Sequence, residues 1–241
     1  MLNLSVKVSD AEDCVELEAD EKHVRLMLED LKLQSAKPAD TPRVKMNVEE
    51  VTRVEESSIL LQEEQKLFRS ATMRAAYLSQ DRVDITETVK CLSRAMACPR
   101  EGHMVQLKRL ARYLKGRPKA VIRYEAQDPR QAMIKRHTDS DGAGDVLTRR
   151  STSGMVVRRG QHLIRHSSTL QTSIGLSSAE AEYYALTKGA AYSLGIQSLF
   201  RDWNLELPIE LYCDSSSARA FAKRRGLGKN RHIDTRYLWL Q

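Results

Sequence analysis

The chain has 241 residues, of which 41% are hydrophobic and 29% are charged. This length suits one large or two modest domains, and the apolar content excludes a disordered chain. The formal net charge is +7, which favours a polyanionic partner, although many basic proteins never bind nucleic acid.

The bulk features indicate an intracellular protein, cytoplasmic or nuclear, without a membrane partner. No apolar run approaches the ~20 residues that span a bilayer, and the first residues lack the apolar core of a signal peptide. We expect reduced thiols, because the cysteines form no CxxC pair and have no histidine at zinc-site spacing. They are Cys14, Cys91, Cys98 and Cys213.

The first half of the chain predicts mainly helices. Residues 1–45 predict a strand, a helix and an extended connector containing Pro38 and Pro42. Residues 46–64 are polar and predict a linker or loop. Residues 65–118 predict helices, one of which would begin with a capping box formed by Asp84 and Glu87.

Two prolines in the segment 117–130 mark a domain boundary, and residues 131–241 predict a second domain. Its strands and helices follow in the order β-β-β-α-β-α, which predicts an α/β fold with a mixed sheet. We expect strands at 131–139, 153–159, 161–167 and 208–214, and helices at about 177–202 and 216–224.

Two of these strands end in an acidic residue, namely Asp139 in the first and Asp214 in the fourth. The carboxyl ends of strands in α/β proteins are where ligand sites tend to form. Either aspartate alone is more often a helix cap or a surface residue.

The long helix supplies a third acid. Ser177 and Glu180 have the form of a capping box, which gives Glu180 a structural role. Glu182 lies about 200° around the helix from Glu180, at the head of an apolar face. A buried acid is costly unless it is paired or binds a cation.

Three carboxylates without cysteine or histidine ligands suit Mg²⁺ or Mn²⁺ rather than zinc. Two such ions about 4 Å apart can activate a water molecule and stabilise the leaving oxygen of a phosphodiester. The sequence therefore predicts that Asp139, Glu182 and Asp214 bind two metal ions and carry out phosphodiester hydrolysis.

Five segments in order resemble the ribonuclease H domain of copia-type retrotransposon Pol polyproteins. They are HTDSDGAGD, RRSTSG, LSSAEAEYYAL, YCDSSSARAFAK and RHIDTRYLWLQ. Upstream, residues 1–45 resemble the end of the reverse transcriptase palm, and residues 65–118 resemble its thumb and connecting helices.

The resemblance implies a ribonuclease H-like fold in which Asp139, Glu182 and Asp214 are catalytic metal ligands. It further implies Mg²⁺-dependent cleavage of the RNA strand of an RNA–DNA hybrid, with no small-molecule cofactor. The expected partners are this hybrid and the rest of the polyprotein, with its polymerase palm upstream. Discrimination of RNA from DNA would use the 2′-OH and the shallow minor groove.

The chain departs from the family pattern at three places. Gly142 replaces a tryptophan beside the first aspartate, which loosens that loop. The motif with a fourth acid would follow Gln241, and the YxDD polymerase motif would precede Met1. The departures favour a catalytically decayed remnant that at most binds nucleic acid, whereas the three intact acids favour an active enzyme. A transposase or integrase core of similar topology is a weaker alternative.

Two basic groups are candidates for contact with the nucleic acid backbone, and ordinary solvated surfaces are the alternative for both. The group on the last predicted helix of residues 65–118 comprises Lys108, Arg109, Arg112 and Lys115. The group in the glycine-containing loop comprises Arg224, Arg225, Lys229 and Arg231. We expect Asp141 and Asp145 to be turn residues rather than ligands.

Overall fold

The computed structural model describes residues 4–9, 13–19, 21–128, 133–226, 228 and 232–241. The chain divides into two compact units, Met1–Arg123 and Tyr124–Gln241. Within the described ranges, no helix is both long enough and apolar enough to cross a bilayer.

The first unit is mainly helical, as expected for 65–118, and also contains a three-stranded sheet. Its strands are β1 (Leu4–Ser9), β2 (Cys14–Ala19) and β3 (Val121–Glu125), in the order β1-β2-β3, and β3 extends past the boundary between the units. Its helices are α1 (Lys22–Asp30), α2 (Val48–Glu56), α3 (Gln62–Leu78), α4 (Thr86–Arg94) and α5 (Glu101–Gly116). Short 3₁₀ helices at Val83–Ile85 and Ala95–Ala97 flank α4.

The prediction of a linker or loop over 46–64 is wrong for α2. Asn47 caps this helix, accepting a hydrogen bond from the Glu50 amide at 2.9 Å, while the Glu50 carboxylate accepts one from the Asn47 amide at 2.8 Å. The apolar stripe of α2 consists of Val48, Val51 and Val54 alone, and the other residues of the helix are polar or charged. This narrow stripe, none of which is fully buried, explains why the segment resembles a polar loop.

The predicted capping box at Asp84 is also wrong. The Asp84 carboxylate instead accepts two hydrogen bonds from buried Arg82, at 2.9 and 2.7 Å, and one from the Tyr113 hydroxyl at 2.7 Å. The Asp84 side chain therefore links α5 to the start of α4 and leaves the helix without a side-chain cap.

The second unit is an α/β structure with the predicted β-β-β-α-β-α order, compatible with a ribonuclease H-like fold. It contains β4 (Ile134–Ser140), β5 (Thr152–Arg159), β6 (His162–Leu170), α6 (Ser178–Asp202), β7 (Ile209–Tyr212) and α7 (Ser216–Lys223). The sheet order is β6-β5-β4-β7, with β4 parallel to β7 and antiparallel to β5. A 3₁₀ helix, Thr235–Leu240, follows.

Helix α6 packs closely against the sheet at Gly189. A Cβ atom at this position would lie 2.5 Å from the Arg136 Nε atom and 2.7 Å from the Thr138 Cγ2 atom, so no other residue fits without movement. Apolar side chains of both layers, including Ile134, Val157 and Phe200, complete this part of the core. The close approach fixes the first turns of α6, and with them Glu182, beside the ends of β4 and β7.

Candidate functional site

The two strand-end aspartates emerge at the same edge of the sheet. In the parallel pair of β4 and β7, His137 is in register with Tyr212. Asp139 and Asp214 each lie two residues further along. Both side chains are exposed.

Glu182 reaches this edge from α6 and is only 7% exposed. Its Oε1 atom accepts a hydrogen bond of 3.0 Å from the backbone amide of Ser140, and Asp139 Oδ1 accepts one of 2.9 Å from the same amide. The two carboxylates therefore share one donor, and their oxygens lie within two hydrogen-bond lengths of each other.

A thiol adjoins these acids. Cys213 Sγ lies 3.8 Å from Glu182 Oε2, and the potential ligand atoms of Glu182, Cys213 and Asp214 all lie within 4.8 Å of one another. The sequence predicted oxygen ligands alone, and Cys213 was not among the predicted site residues. Successive residues of an extended segment point to opposite sides. Cys213 lies between Tyr212 and Asp214, which are both exposed, so its place in the alternation indicates a side chain that points inward.

The pKa of Glu182 is raised from its ordinary value of 4.5 to about 7, chiefly by burial and also by the negative charges of Asp139 and Asp214, against the lowering effect of the Ser140 amide. Burial likewise raises the pKa of the Cys213 thiol. This close set of carboxyl groups fits a divalent cation, because a cation would neutralise the negative charges that surround Glu182.

Glu180 has a separate structural role, as its position at the helix start predicted. Ser177 caps α6 by accepting a hydrogen bond from the Glu180 amide, whereas the Glu180 carboxylate accepts bonds from the Leu176 amide, the Tyr184 hydroxyl and His232. These hydrogen bonds lower the pKa of Glu180 despite its burial. Glu180 thus stabilises the start of α6 and the segment after α7, and is distinct from the acid cluster.

The loop after β4 is stabilised by its own acids. Asp141 Oδ1 accepts hydrogen bonds from the amides of Gly144 and Thr152, and Asp145 Oδ1 accepts bonds from the amide and hydroxyl of Thr148. Both aspartates are therefore turn residues, as predicted. Gly142 has a φ of +52°, and a Cβ atom placed there would meet nothing within 4 Å.

Most of the basic residues in the α5 group donate hydrogen bonds to other parts of the same chain. Arg109 donates to the Thr41 hydroxyl, Arg112 to the Lys37 carbonyl, and Lys115 to the carbonyls of Gln34 and Ala36. These three side chains hold the connector that follows α1, while Lys108 is exposed. Nucleic acid contact by this group remains a prediction.

In the second basic group, the Arg224 Cζ atom lies 4.2 Å from the centroid of the Phe221 ring, and Arg225 is exposed. Lys229 and Arg231 lie outside the described residues. Contact of this group with nucleic acid also remains a prediction.

No family model and no solved structure matches the chain. The chain is 30% identical over 227 residues to the retrovirus-related Pol polyprotein from transposon TNT 1-94 of Nicotiana tabacum, covering 92% of this chain and 17% of the relative. It is 34% and 33% identical over 153 residues to the corresponding polyproteins from transposons RE1 and RE2 of Arabidopsis thaliana, covering 63% of this chain and 10% of each relative. The chain thus spans less than a fifth of the length of these relatives. It belongs to the copia-type retrotransposon Pol polyproteins.

Proposed function

We propose that the second unit is a ribonuclease H domain that hydrolyses the RNA strand of an RNA–DNA hybrid with Mg²⁺ or Mn²⁺. The observation that supports this most directly is the convergence of Asp139, Glu182 and Asp214 from β4, α6 and the end of β7. The order of the elements and the sheet order β6-β5-β4-β7 support the fold. In this proposal, the first unit corresponds to the end of the reverse transcriptase palm and the thumb-like helices.

Asp139, Glu182 and Asp214 would hold two divalent ions, which when bound supply an activated water molecule and stabilisation of the leaving 3′ oxygen. The Ser140 amide orients Asp139 and Glu182 toward each other. Burial of Glu182 excludes water from one side of the site and strengthens the attraction between its carboxylate and a cation. The carboxylates therefore act by positioning charge rather than by transferring protons.

The direct test is cleavage of a labelled RNA–DNA hybrid by the purified protein in Mg²⁺. We expect Asp139→Asn to lower the rate by roughly two orders of magnitude or more, because it removes a charged ligand. The control is Asp145→Asn, which changes an acid of the neighbouring turn and should leave the rate within about twofold. Equal cleavage by Asp139→Asn and the wild type would contradict the proposal.

The second candidate is a decayed element that binds nucleic acid without cleaving it. The unpacked left-handed Gly142 beside Asp139 favours this alternative, because it leaves the loop next to the acids less constrained. Binding of the hybrid by the wild type without any cleavage in Mg²⁺ or Mn²⁺ would support it over the enzyme.

A further inference from the structure

Arg136, a buried cation on β4, has no acidic partner in the part of the chain that the structure describes. Arg136 is 1% exposed, and its Nε and Nη1 atoms have no hydrogen-bond partner among the described residues. Its Nη2 atom contacts the sulfur of Met155. Burial lowers the pKa of Arg136 to about 10. A Cβ atom on Gly189 would lie 2.5 Å from the Arg136 Nε atom, so the guanidinium is packed between the sheet and α6. A desolvated guanidinium without an anion is costly, and its positive charge favours anions on the surface directly above it.

A second guanidinium lies beside the first. The Cζ atoms of Arg136 and Arg165 lie 5.7 and 5.2 Å from the ring centroid of Tyr192, which is 39% exposed. Val157 on β5 is in register with both arginines, so they occupy one row on the side of the sheet that faces α6. The sequence has no acidic residue in β5, in β6 or in residues 183–201 of α6.

Hydroxyl groups and a lysine extend this row toward the metal centre. Arg165, Ser167 and Thr169 alternate along β6 and therefore lie on one face of it. The Thr169 hydroxyl accepts a hydrogen bond of 2.9 Å from Lys188 of α6. Thr169 is in register with Ser153, which is in register with Ser140 beside the carboxylates. From Arg165 to Thr169 the strand covers ~13 Å, longer than a single phosphate group.

We propose that this β6–α6 groove binds the phosphate backbone of one strand of the nucleic acid substrate and leads it to the carboxylate cluster. The groove is formed by Arg165, Ser167, Thr169, Lys188 and Tyr192, with the charge of buried Arg136 beneath it. Guanidinium, ammonium and hydroxyl donors without acceptor carboxylates match phosphate oxygens. This inference rests on the proposed function for the identity of the strand.

The test measures binding of a fluorescent RNA–DNA hybrid by anisotropy in EDTA, so that cleavage does not intervene. We expect the double variant Arg165→Gln/Lys188→Gln to bind about tenfold or more weakly, because it loses two charged phosphate contacts. The slope of log affinity against log salt should become shallower by about two. Both residues are exposed, so folding should be unaffected, as circular dichroism can verify.

The matched control is Arg158→Gln. Arg158 is exposed on β5 and is in register with Lys135, so it lies on the sheet face opposite to Arg136. Its removal changes the net charge without touching the groove, and affinity should stay within about twofold. Equal weakening by Arg158→Gln and by the double variant, or weakening by neither, would overturn the inference.

Two further measurements distinguish a groove that binds a strand from a pocket that binds one anion, and test the groove separately from the proposed nuclease activity. Binding of inorganic phosphate as tightly as the hybrid, measured by calorimetry, would indicate a single-anion pocket and overturn the assignment to a strand. Cleavage in Mg²⁺ is measured in parallel: a wild type that binds through the groove but never cleaves contradicts the proposed function and supports the groove.

Discussion

At the residue scale, the acid cluster opposes folding when no metal is bound, because it buries one carboxyl group beside two others. Glu182 is buried beside Asp139 and Asp214, so its ionised form is disfavoured in the metal-free protein. A divalent cation reverses this preference, since it neutralises the repulsion. The cluster should therefore destabilise the protein without metal and stabilise it when metal is bound.

This opposition predicts a pH dependence of stability. The pKa of Glu182 is raised in the folded state from its ordinary value of 4.5 to about 7. The folded protein thus holds a proton that the unfolded chain loses, so the free energy of unfolding should fall between about pH 4.5 and 7, by at most about 1.4 kcal/mol per pH unit. Urea unfolding in EDTA across this range measures the slope.

The control is Glu182→Gln, which has no proton to lose at this position and should show a flatter profile over the same range. Identical pH profiles for the variant and the wild type would mean that Glu182 ionises freely in the folded protein.

The role of a single residue could be predicted where its position in a recognisable sequence pattern indicates it. Because Glu180 and Glu182 point to different sides of α6, the sequence could assign Glu180 to the start of the helix and Glu182 to the acid cluster. Their hydrogen bonds in the fold agree with this assignment. Arg136 could not be predicted as a buried, unpaired cation, because a basic residue in a strand is ordinarily read as exposed. The role of the Ser140 amide is equally hidden, since every residue except proline offers one.

At the scale of elements, α6 was predicted almost to its ends because it has a serine cap, a long apolar face and a tight packing glycine. Helix α2 was missed because its residues are mostly polar and none is fully buried. Strand β3 fell within a segment interpreted as a boundary on the basis of its prolines. Short strands at a sheet edge have too few residues for a clear alternation.

Two glycines of α6 test the packing of this element against the sheet. Gly189→Ala should destabilise the protein by about 1–3 kcal/mol, because the new Cβ would lie 2.7 Å from Thr138 Cγ2. Gly195→Ala in the same helix meets nothing within 4 Å and should stabilise it by up to about 1 kcal/mol through helix propensity. Chemical denaturation of both variants measures these changes.

Opposite signs at the two positions are the expected outcome. Stabilisation by Gly189→Ala as large as by Gly195→Ala would mean that helix and sheet are not in close contact at Gly189.

At the scale of the whole molecule, the chain forms two units, each with its own core. The sequence predicted that the second domain begins at 131, whereas the second unit begins at Tyr124. Tyr124 and Gln127, which precede 131, form hydrogen bonds with the β5–β6 hairpin. The Tyr124 hydroxyl donates to the Leu163 carbonyl at 3.0 Å, and the Gln127 amide donates to the Arg159 carbonyl at 3.0 Å.

A chain of residues 124–241 should therefore be more stable than one of residues 131–241, by about 1–3 kcal/mol for the lost hydrogen bonds. Urea unfolding followed by circular dichroism compares the two. Tyr124→Phe in the longer chain should account for about 1 kcal/mol of the difference. If the two chains unfold at the same urea concentration, the second domain begins at 131, as the sequence predicted.

The alignment of Asp139 with Glu182 depends on a peptide N–H, and this has a consequence for how copies of a mobile element diverge. Mutation at codon 140 can exchange the serine for most other amino acids without removing the donor, and proline alone lacks it. Purifying selection on this geometry therefore constrains the path of the main chain more strongly than the side chain at 140, whose hydroxyl accepts a long hydrogen bond of 3.4 Å from Gln171.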